Sequence, residues 1–590
     1  MYLENIKGPQ DVKNLRKEEL QVLANEMRTA LLQKLSRHGG HIGPNLGMVE
    51  ATIALHYVFD SPMDKMVFDV SHQSYCHKLL TGRSRAFLQE EYYDEVSGYT
   101  NPQESEHDFF TIGHTSTSIS LAAGLAKARD LHKEQYNVIA VIGDGSLSGG
   151  EALEGLNFAH ELQGNLIILV NDNAMSIAEN HGGLYENLKL LRETRGTASC
   201  NLFKAMGLAY VFVEDGNDLE QLISAFLQVK DSAQPVVVHI CTQKGKGYAL
   251  AEQHKEDWHW NMPFHLEDGT PLYTEQGEDY GDLTARFLLK EMQRDPSVVA
   301  ITSGTPAVFG FHEERRKQAG KQFVDVGIAE EHAVALASGI AANRGKPVYG
   351  VYSSFLQRTY DQLSQDLCIN NNPALLLIFA ASVYGMNDVT HLGIFDIAML
   401  SNIPNLVYLA PTCKEEYEAM LAWGLHQKQY PVAVRVPGIA VTSGNDMPIT
   451  ASYDQLNSYQ VTQDGDTVAI LALGSFYEKG KQLADALQRE EINATLINPR
   501  FITGVDRELL EKLKQKHSVI VTLEDGILDG GFGEKIARFY GNSDIKVLNY
   551  GLQKAFIDRY DVDEILKENR LQSDLMLKDI QLCLTERITA

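Results

Sequence analysis

Short aliphatic runs that end in glycine or polar turns recur along the chain, separated by stretches of helical periodicity. That alternation is the rhythm of parallel α/β sheets. The first set is 138–142 running into Gly143-Asp144-Gly145, 165–170 running into Asn171-Asp172-Asn173, and 236–240. Between the first two, Ala152, Leu156, Ala159 and Leu162 repeat at helical spacing across 149–162 and predict a βαβ unit with polar turns at both strand exits. A second set comprises 298–301, 347–351 and 374–378, and a third 468–474, 494–497 and 518–522. The acidic, aperiodic stretch 264–280 and the Gly-, Thr-, Ser- and Pro-rich stretch 438–452 read as connections between these blocks. Domains over 1–265, 280–440 and 453–590 follow, with no short-period repeat among them.

Composition narrows the class. A chain of 590 residues, 44% hydrophobic and 22% charged, has ample core for several α/β domains, which excludes disorder and small disulfide scaffolds. Lys and Arg number 52 against 78 Asp and Glu, a net charge of −26 that repels phosphodiester backbones and anionic membranes, so neither nucleic acid nor membrane is expected as a partner. The N-terminus lacks the basic-then-apolar layout of a signal peptide and no apolar run approaches a membrane span, which predicts a cytoplasmic protein. Six cysteines without a CxxC predict reduced, mostly buried thiols rather than a disulfide framework or zinc site.

The strand exits carry the most informative chemistry. Gly143-Asp144-Gly145 and Asn173 fall at the carboxyl ends of neighbouring predicted strands, where open α/β sheets bind ligands. Gly143 and Gly145 would let backbone approach phosphate oxygens, and the next helix would aim its amides at the same anion. Asp144 and Asn173 offer hard oxygens of the kind Mg²⁺ takes beside phosphate. A glycine-flanked aspartate alone is equally an ordinary strand-to-helix turn.

These motifs resemble the thiamine diphosphate enzymes of the transketolase superfamily, and most closely the 1-deoxy-D-xylulose-5-phosphate synthase family. The likeness runs through 41–59 (HIGPNLGMVEATIALHYVF), 69–83 (DVSHQSYCHKLLTGR), 113–120 (GHTSTSIS), 143–151, 171–180 (NDNAMSIAEN), 325–334 (DVGIAEEHAV) and 352–362 (YSSFLQRTYDQ). Asn498-Pro499-Arg500-Phe501 and Gly530-Gly531-Phe532-Gly533 extend it into the third block. The resemblance implies three α/β domains, binding diphosphate, binding pyrimidine and of C-terminal transketolase type, with mainly parallel sheets. It also implies a homodimer, with the cofactor between the first two domains.

Carried over residue by residue, it makes Asp144, Asn173 and the Met175 carbonyl ligands of Mg²⁺. His72, His114, Ser116, Gly143, Gly145, Ser146 and Lys244 join them around the cofactor. Glu330 becomes the activator of the aminopyrimidine, because one carboxyl group hydrogen-bonded to that ring favours the tautomer that takes the thiazolium proton. Phe355 would stack on the same ring. Without the surrounding motifs, Glu330 would read as a helix-surface glutamate and Phe355 as core. His41, His114 and His391 are the expected proton carriers near neutral pH, with His72 and His259 weaker candidates. Tyr352 and Arg358 complete the acceptor side as a hydroxyl donor and a planar cation. His77, His160 and His181 read as structural. The segment 244–248 (KGKGY) reads either as a solvated basic turn or as a loop over the diphosphate.

The acceptor half departs from the family pattern. Two arginines that hold the acceptor's phosphate there are replaced by Ala380 and Gly438, with Arg435 the nearest remaining cation. Charge-assisted contacts are each worth roughly 1.5–3 kcal/mol, so their loss weakens a phosphorylated acceptor by orders of magnitude. The family's aspartate aligns with Asn387, an aspartate following one position later at Asp388, and Thr115 stands for the usual serine. The insert after Asn180 is shortened to a brief helix-like stretch. The leading expectation is a carboligase that decarboxylates pyruvate and transfers the two-carbon unit to glyceraldehyde 3-phosphate. Alternatives are ketol transfer, acyl transfer to an unphosphorylated aldehyde, an E1-type component acylating a lipoyl carrier, and a catalytically silent regulator.

Overall fold

The computed structural model describes residues 2–273, 277–444, 448–450 and 452–589. Residues 274–276 of the first expected connection, and 445–447 and 451 of the second, lie outside the described residues. The chain forms two compact units, Met1–Gln276 with Gly327–Ala329, and Gly277–Val326 with Glu330–Ala590. No helix among the described residues is long and apolar enough to cross a membrane.

The first unit is built on a five-stranded, all-parallel sheet in the order Lys65–Phe68, Val138–Gly143, Ile167–Asp172, Val236–Cys241, Ala209–Val213. Its interior strands are buried almost throughout, as continuous aliphatic runs require when both faces are covered. The helix Gly150–Ala159 buries Ala152, Leu156 and Ala159, the predicted stripe. A two-stranded antiparallel ribbon pairs His41 with Trp260. His41 therefore sits on a short strand. His77 is structural: fully buried, it lies 2.9 Å from His56 and 3.0 Å from Asp108.

The second unit holds two sheets. Six parallel strands run Val407–Leu409, Val432–Arg435, Leu375–Phe379, Lys346–Tyr352, Val298–Thr302, Phe323–Asp325. Five more run Gln460–Gln463, Ala494–Asn498, Val468–Ala472, Val519–Ile527, Lys546–Leu552, only the first antiparallel to its neighbour. Buried polar bonds join these sheets. Arg435 binds Asp396 at 2.7 Å and also Asp525, while Asn498 donates to Glu416 at 3.0 Å. The Gly530–Gly533 motif has a packing cause: Glu524 accepts from the amides of Phe532 and Gly533, and a Cβ at Gly531 would fall 2.6 Å from that carboxylate.

Cysteines depart from expectation in one respect. No disulfide joins the six, but only Cys76, Cys368 and Cys413 are buried; Cys200 is exposed and Cys241 and Cys583 are half-buried.

Candidate active site

In the first unit, parallel pairing sets Gly143 beside Asn171, so both polar turns leave the sheet at one edge. Asp144 is buried at 1% exposure, and burial together with the nearby Asp172 charge holds its carboxyl well above the usual range. Asn180 donates to it at 2.8 Å. Asn180 closes the 171–180 motif but was not singled out from sequence; a polar side chain ending a strand-exit loop was the available signal. A carboxyl group with so costly a charge, an amide oxygen at Asn173 and a turn held by Met175 N donating to Asn173 at 3.1 Å form a donor set that suits Mg²⁺. Among the described residues no cluster of three His, Cys, Asp or Glu competes for a metal.

The two glycines differ in what surrounds them. A Cβ at Gly143 would meet open space, which leaves room for a ligand over the turn, whereas one at Gly145 would lie 3.0 Å from Ser176 Cα. Gly145 is thus required by packing between the strand exits. Ser116 turns its hydroxyl inward to the Ser146 carbonyl at 2.8 Å instead of outward. Lys244 is buried, not solvated; it donates to the Ser176 carbonyl at 2.7 Å, and burial lowers its pKa to about 7. An anion reaching this ammonium would favour its charged form.

His41, His72 and His259 assemble, with ring centroids 5.1, 5.4 and 5.5 Å apart. Burial, then Lys244 and the other two rings, push His259 well below its ordinary pKa. His114 and Thr115 stay half-buried beside Ser116.

In the second unit the candidates also follow strand ends. Tyr352 closes Lys346–Tyr352, Phe355 follows it, and Glu330 opens the helix Glu330–Ala342 after Phe323–Asp325. Glu330 is 3% exposed, its Oε2 has no hydrogen-bond partner, and Arg358 stands 3.6 Å away. Burial raises its pKa to about 7 against the lowering pull of Arg358. An orphaned buried carboxyl oxygen fits a ring nitrogen of an aminopyrimidine, and the half-buried Phe355 lies 5.4 Å from both Tyr352 and His391 rings. Burial also raises the Tyr352 phenol.

His391 is 6% exposed, and its Nδ1 lies 3.1 Å from Asp388 Oδ1. The shifted aspartate is therefore the one that meets the imidazole. Burial alone would raise the Asp388 carboxyl, but His391 and Thr390 hold it below the usual range. Arg435 does not compensate for the missing cations: it is buried in ion pairs with Asp396 and Asp525. At Gly438 a Cβ would fall 2.6 Å from Gly385 Cα, so the backbone closes the space where a longer side chain would start.

A model described as 1-deoxy-D-xylulose-5-phosphate synthase matches residues 3–201 and 190–242; the transketolase pyrimidine-binding domain matches 277–442 and the transketolase C-terminal domain 458–575. Proteins named 1-deoxy-D-xylulose-5-phosphate synthase are 38% identical in Alkaliphilus oremlandii and in Clostridium tetani, each over 98% of this chain and 99% of the relative. The chain belongs to the 1-deoxy-D-xylulose-5-phosphate synthase family. Its relative of that name in Clostridium beijerinckii is 37% identical over 98% of both chains. The fold is accordingly the three-domain, mainly parallel transketolase-like α/β architecture.

Proposed function

We propose that this chain is a thiamine diphosphate- and Mg²⁺-dependent carboligase, a transferase of aldehyde residues that converts pyruvate and D-glyceraldehyde 3-phosphate to 1-deoxy-D-xylulose 5-phosphate and CO₂. Full-length identity with synthases of that name is the observation that carries it. The reading includes domains over 1–265, 280–440 and 453–590 and a homodimer.

Thiamine diphosphate, when bound, supplies the nucleophile and electron sink for decarboxylation. Asp144, Asn173 and the Met175 carbonyl would hold Mg²⁺, with Lys244, Gly143, Gly145, Ser146, Ser116, His72 and His114 around the diphosphate. Glu330, titrating near neutrality, would hydrogen-bond the aminopyrimidine and hold a proton there, and Phe355 would pack that ring. Arg358 and Tyr352 orient the anionic substrate. His391, steadied by Asp388, and His41 hold and move protons at substrate oxygens.

The locked Arg435 and closed Gly438 favour a second reading for the acceptor alone, an aldehyde without phosphate. One assay separates the two: CO₂ release from pyruvate with cofactor and Mg²⁺, in the presence of glyceraldehyde 3-phosphate or glyceraldehyde, with product analysis. Stimulation by the phosphorylated aldehyde alone supports the first reading. Stimulation by the unphosphorylated one alone supports the second, and no release with either overturns both.

A further inference from the structure

The loop that carries His391 belongs to the six-stranded sheet by sequence but to the third block by packing. Val383, Leu392 and Ile394 are fully or almost fully buried in one apolar cluster with Val468, Ile470, Val519, Leu523 and Leu552. A single segment of that block, 558–560, then fastens the loop by four hydrogen bonds. The Val389 amide donates to Asp558 Oδ1 at 3.1 Å, and the Arg559 amide to the Asn387 carbonyl at 2.7 Å. Asn387 Nδ2 donates to the Tyr560 carbonyl at 3.3 Å, and the Tyr560 hydroxyl to the Val383 carbonyl at 2.7 Å. Arg559 Nε donates to the other Asp558 oxygen at 2.9 Å and fixes that carboxylate.

These bonds bear on the departure at 387–388. Asn387 spends both its side-chain amide and its carbonyl on 559–560, so it faces the third block. The next residue, Asp388, is left to meet Thr390 and His391. With Asn387 held by 559–560, it is Asp388 that reaches the imidazole, together with Thr390.

We propose that residues 558–560 are the positioning element of the His391–Asp388 pair, holding its loop in the register that brings Asp388 rather than Asn387 to the imidazole. Asp558 and Tyr560 touch no reacting atom; they act through the loop. A misplacement of about 1 Å at a proton carrier costs up to about a hundredfold, so loosening the fastening should be read at the acceptor step. This rests on the functional reading above, with the protons His391 moves taken to be those of the acceptor's oxygens.

The test uses the full chain with Asp558→Ala, Asp558→Asn and Tyr560→Phe. Amide hydrogen exchange across 383–391, measured without substrate, should accelerate in D558A and Y560F. The acceptor KM should rise by about tenfold while acceptor-independent CO₂ release changes by less than about twofold. D558N keeps an oxygen that accepts from Val389 and should behave as the unaltered chain does. Unchanged exchange and unchanged acceptor KM would overturn the proposal. So would a uniform loss of both rates with a lowered unfolding midpoint, which is the mark of a merely structural contact. Accelerated exchange in a chain that performs no carboligation would uphold the fastening and overturn the functional reading instead.

Discussion

Glu330 shows at the scale of one residue how a site is held ready at the expense of stability. Its carboxyl titrates at about 7 in the fold against an ordinary 4.5, chiefly because it is buried. The folded chain therefore binds that proton more tightly than the unfolded chain. The resulting stability is fully present below pH 4.5 and is lost as pH rises through 7. The difference amounts to about 3 kcal/mol at alkaline pH. Glu330→Gln should lower turnover by two orders of magnitude or more, in the range general acid–base groups contribute. The cofactor-free variant should nonetheless be more stable than the parent by about 2–3 kcal/mol at pH 8 and no more stable at pH 4. Urea unfolding at the two pH values checks this, and equal stabilities at pH 8 would remove the buried-charge account. His391 differs because its neighbour Asp388 is anionic and already paired to it, so the His391→Asn variant should lose acceptor-dependent rate without a comparable gain in stability.

At the scale of elements, the interior strands of the first and third sheets were legible, whereas Val432–Arg435 inside the six-stranded sheet and the edge strands were not. The runs 138–142, 165–170 and 236–240 became the three inner strands of the first sheet, because a strand covered on both faces needs a continuous apolar run. Two of the edges carry no such run: Ala209–Val213 is only half-buried for four of its five residues, and Gln460–Gln463 has none fully buried. The residues proposed for the cofactor fall in short motifs at strand ends, which local sequence can display. The contacts around the His391 loop join residues remote in sequence, which local patterns cannot display; Asp558 lies 169 residues from Val389. The fate of Arg435 was hidden for the same reason, as Asp525 is 90 residues away. Arg435→Ala leaves two buried carboxylates, Asp396 and Asp525, without their cation and should destabilise the second unit by about 3–5 kcal/mol. A denaturation midpoint unchanged from the parent would contradict that. Gly438→Arg should likewise fail to create an anion site. Its Cβ would meet Gly385 backbone at 2.6 Å, and overpacking of this kind costs about 1–3 kcal/mol. A lowered unfolding midpoint with no gain in affinity for the phosphorylated aldehyde is the expected result.

At the scale of the whole molecule, the charge balance opposes the proposed chemistry at long range and favours it at short range. A net charge of −26 surrounds a site whose proposed substrate is an anion. Beside Glu330 there is a local cation, because Arg358 stands 3.6 Å from a carboxyl that is about half protonated near pH 7. The two fields respond differently to salt. The Debye length is about 30 Å at 0.01 M and about 8 Å at 0.15 M, so added salt removes the repulsion of distant surface carboxylates while a partly buried cation a few ångströms from its substrate is barely screened. Raising the salt from 10 to 150 mM should therefore increase kcat/KM for pyruvate by about two- to threefold, chiefly through KM. Cofactor-saturated enzyme should be used, so that weaker binding of the diphosphate at high salt does not enter. A fall in kcat/KM over the same range would mean that cations steer pyruvate over distances longer than the contact itself, and would place the governing field at the site rather than over the surface.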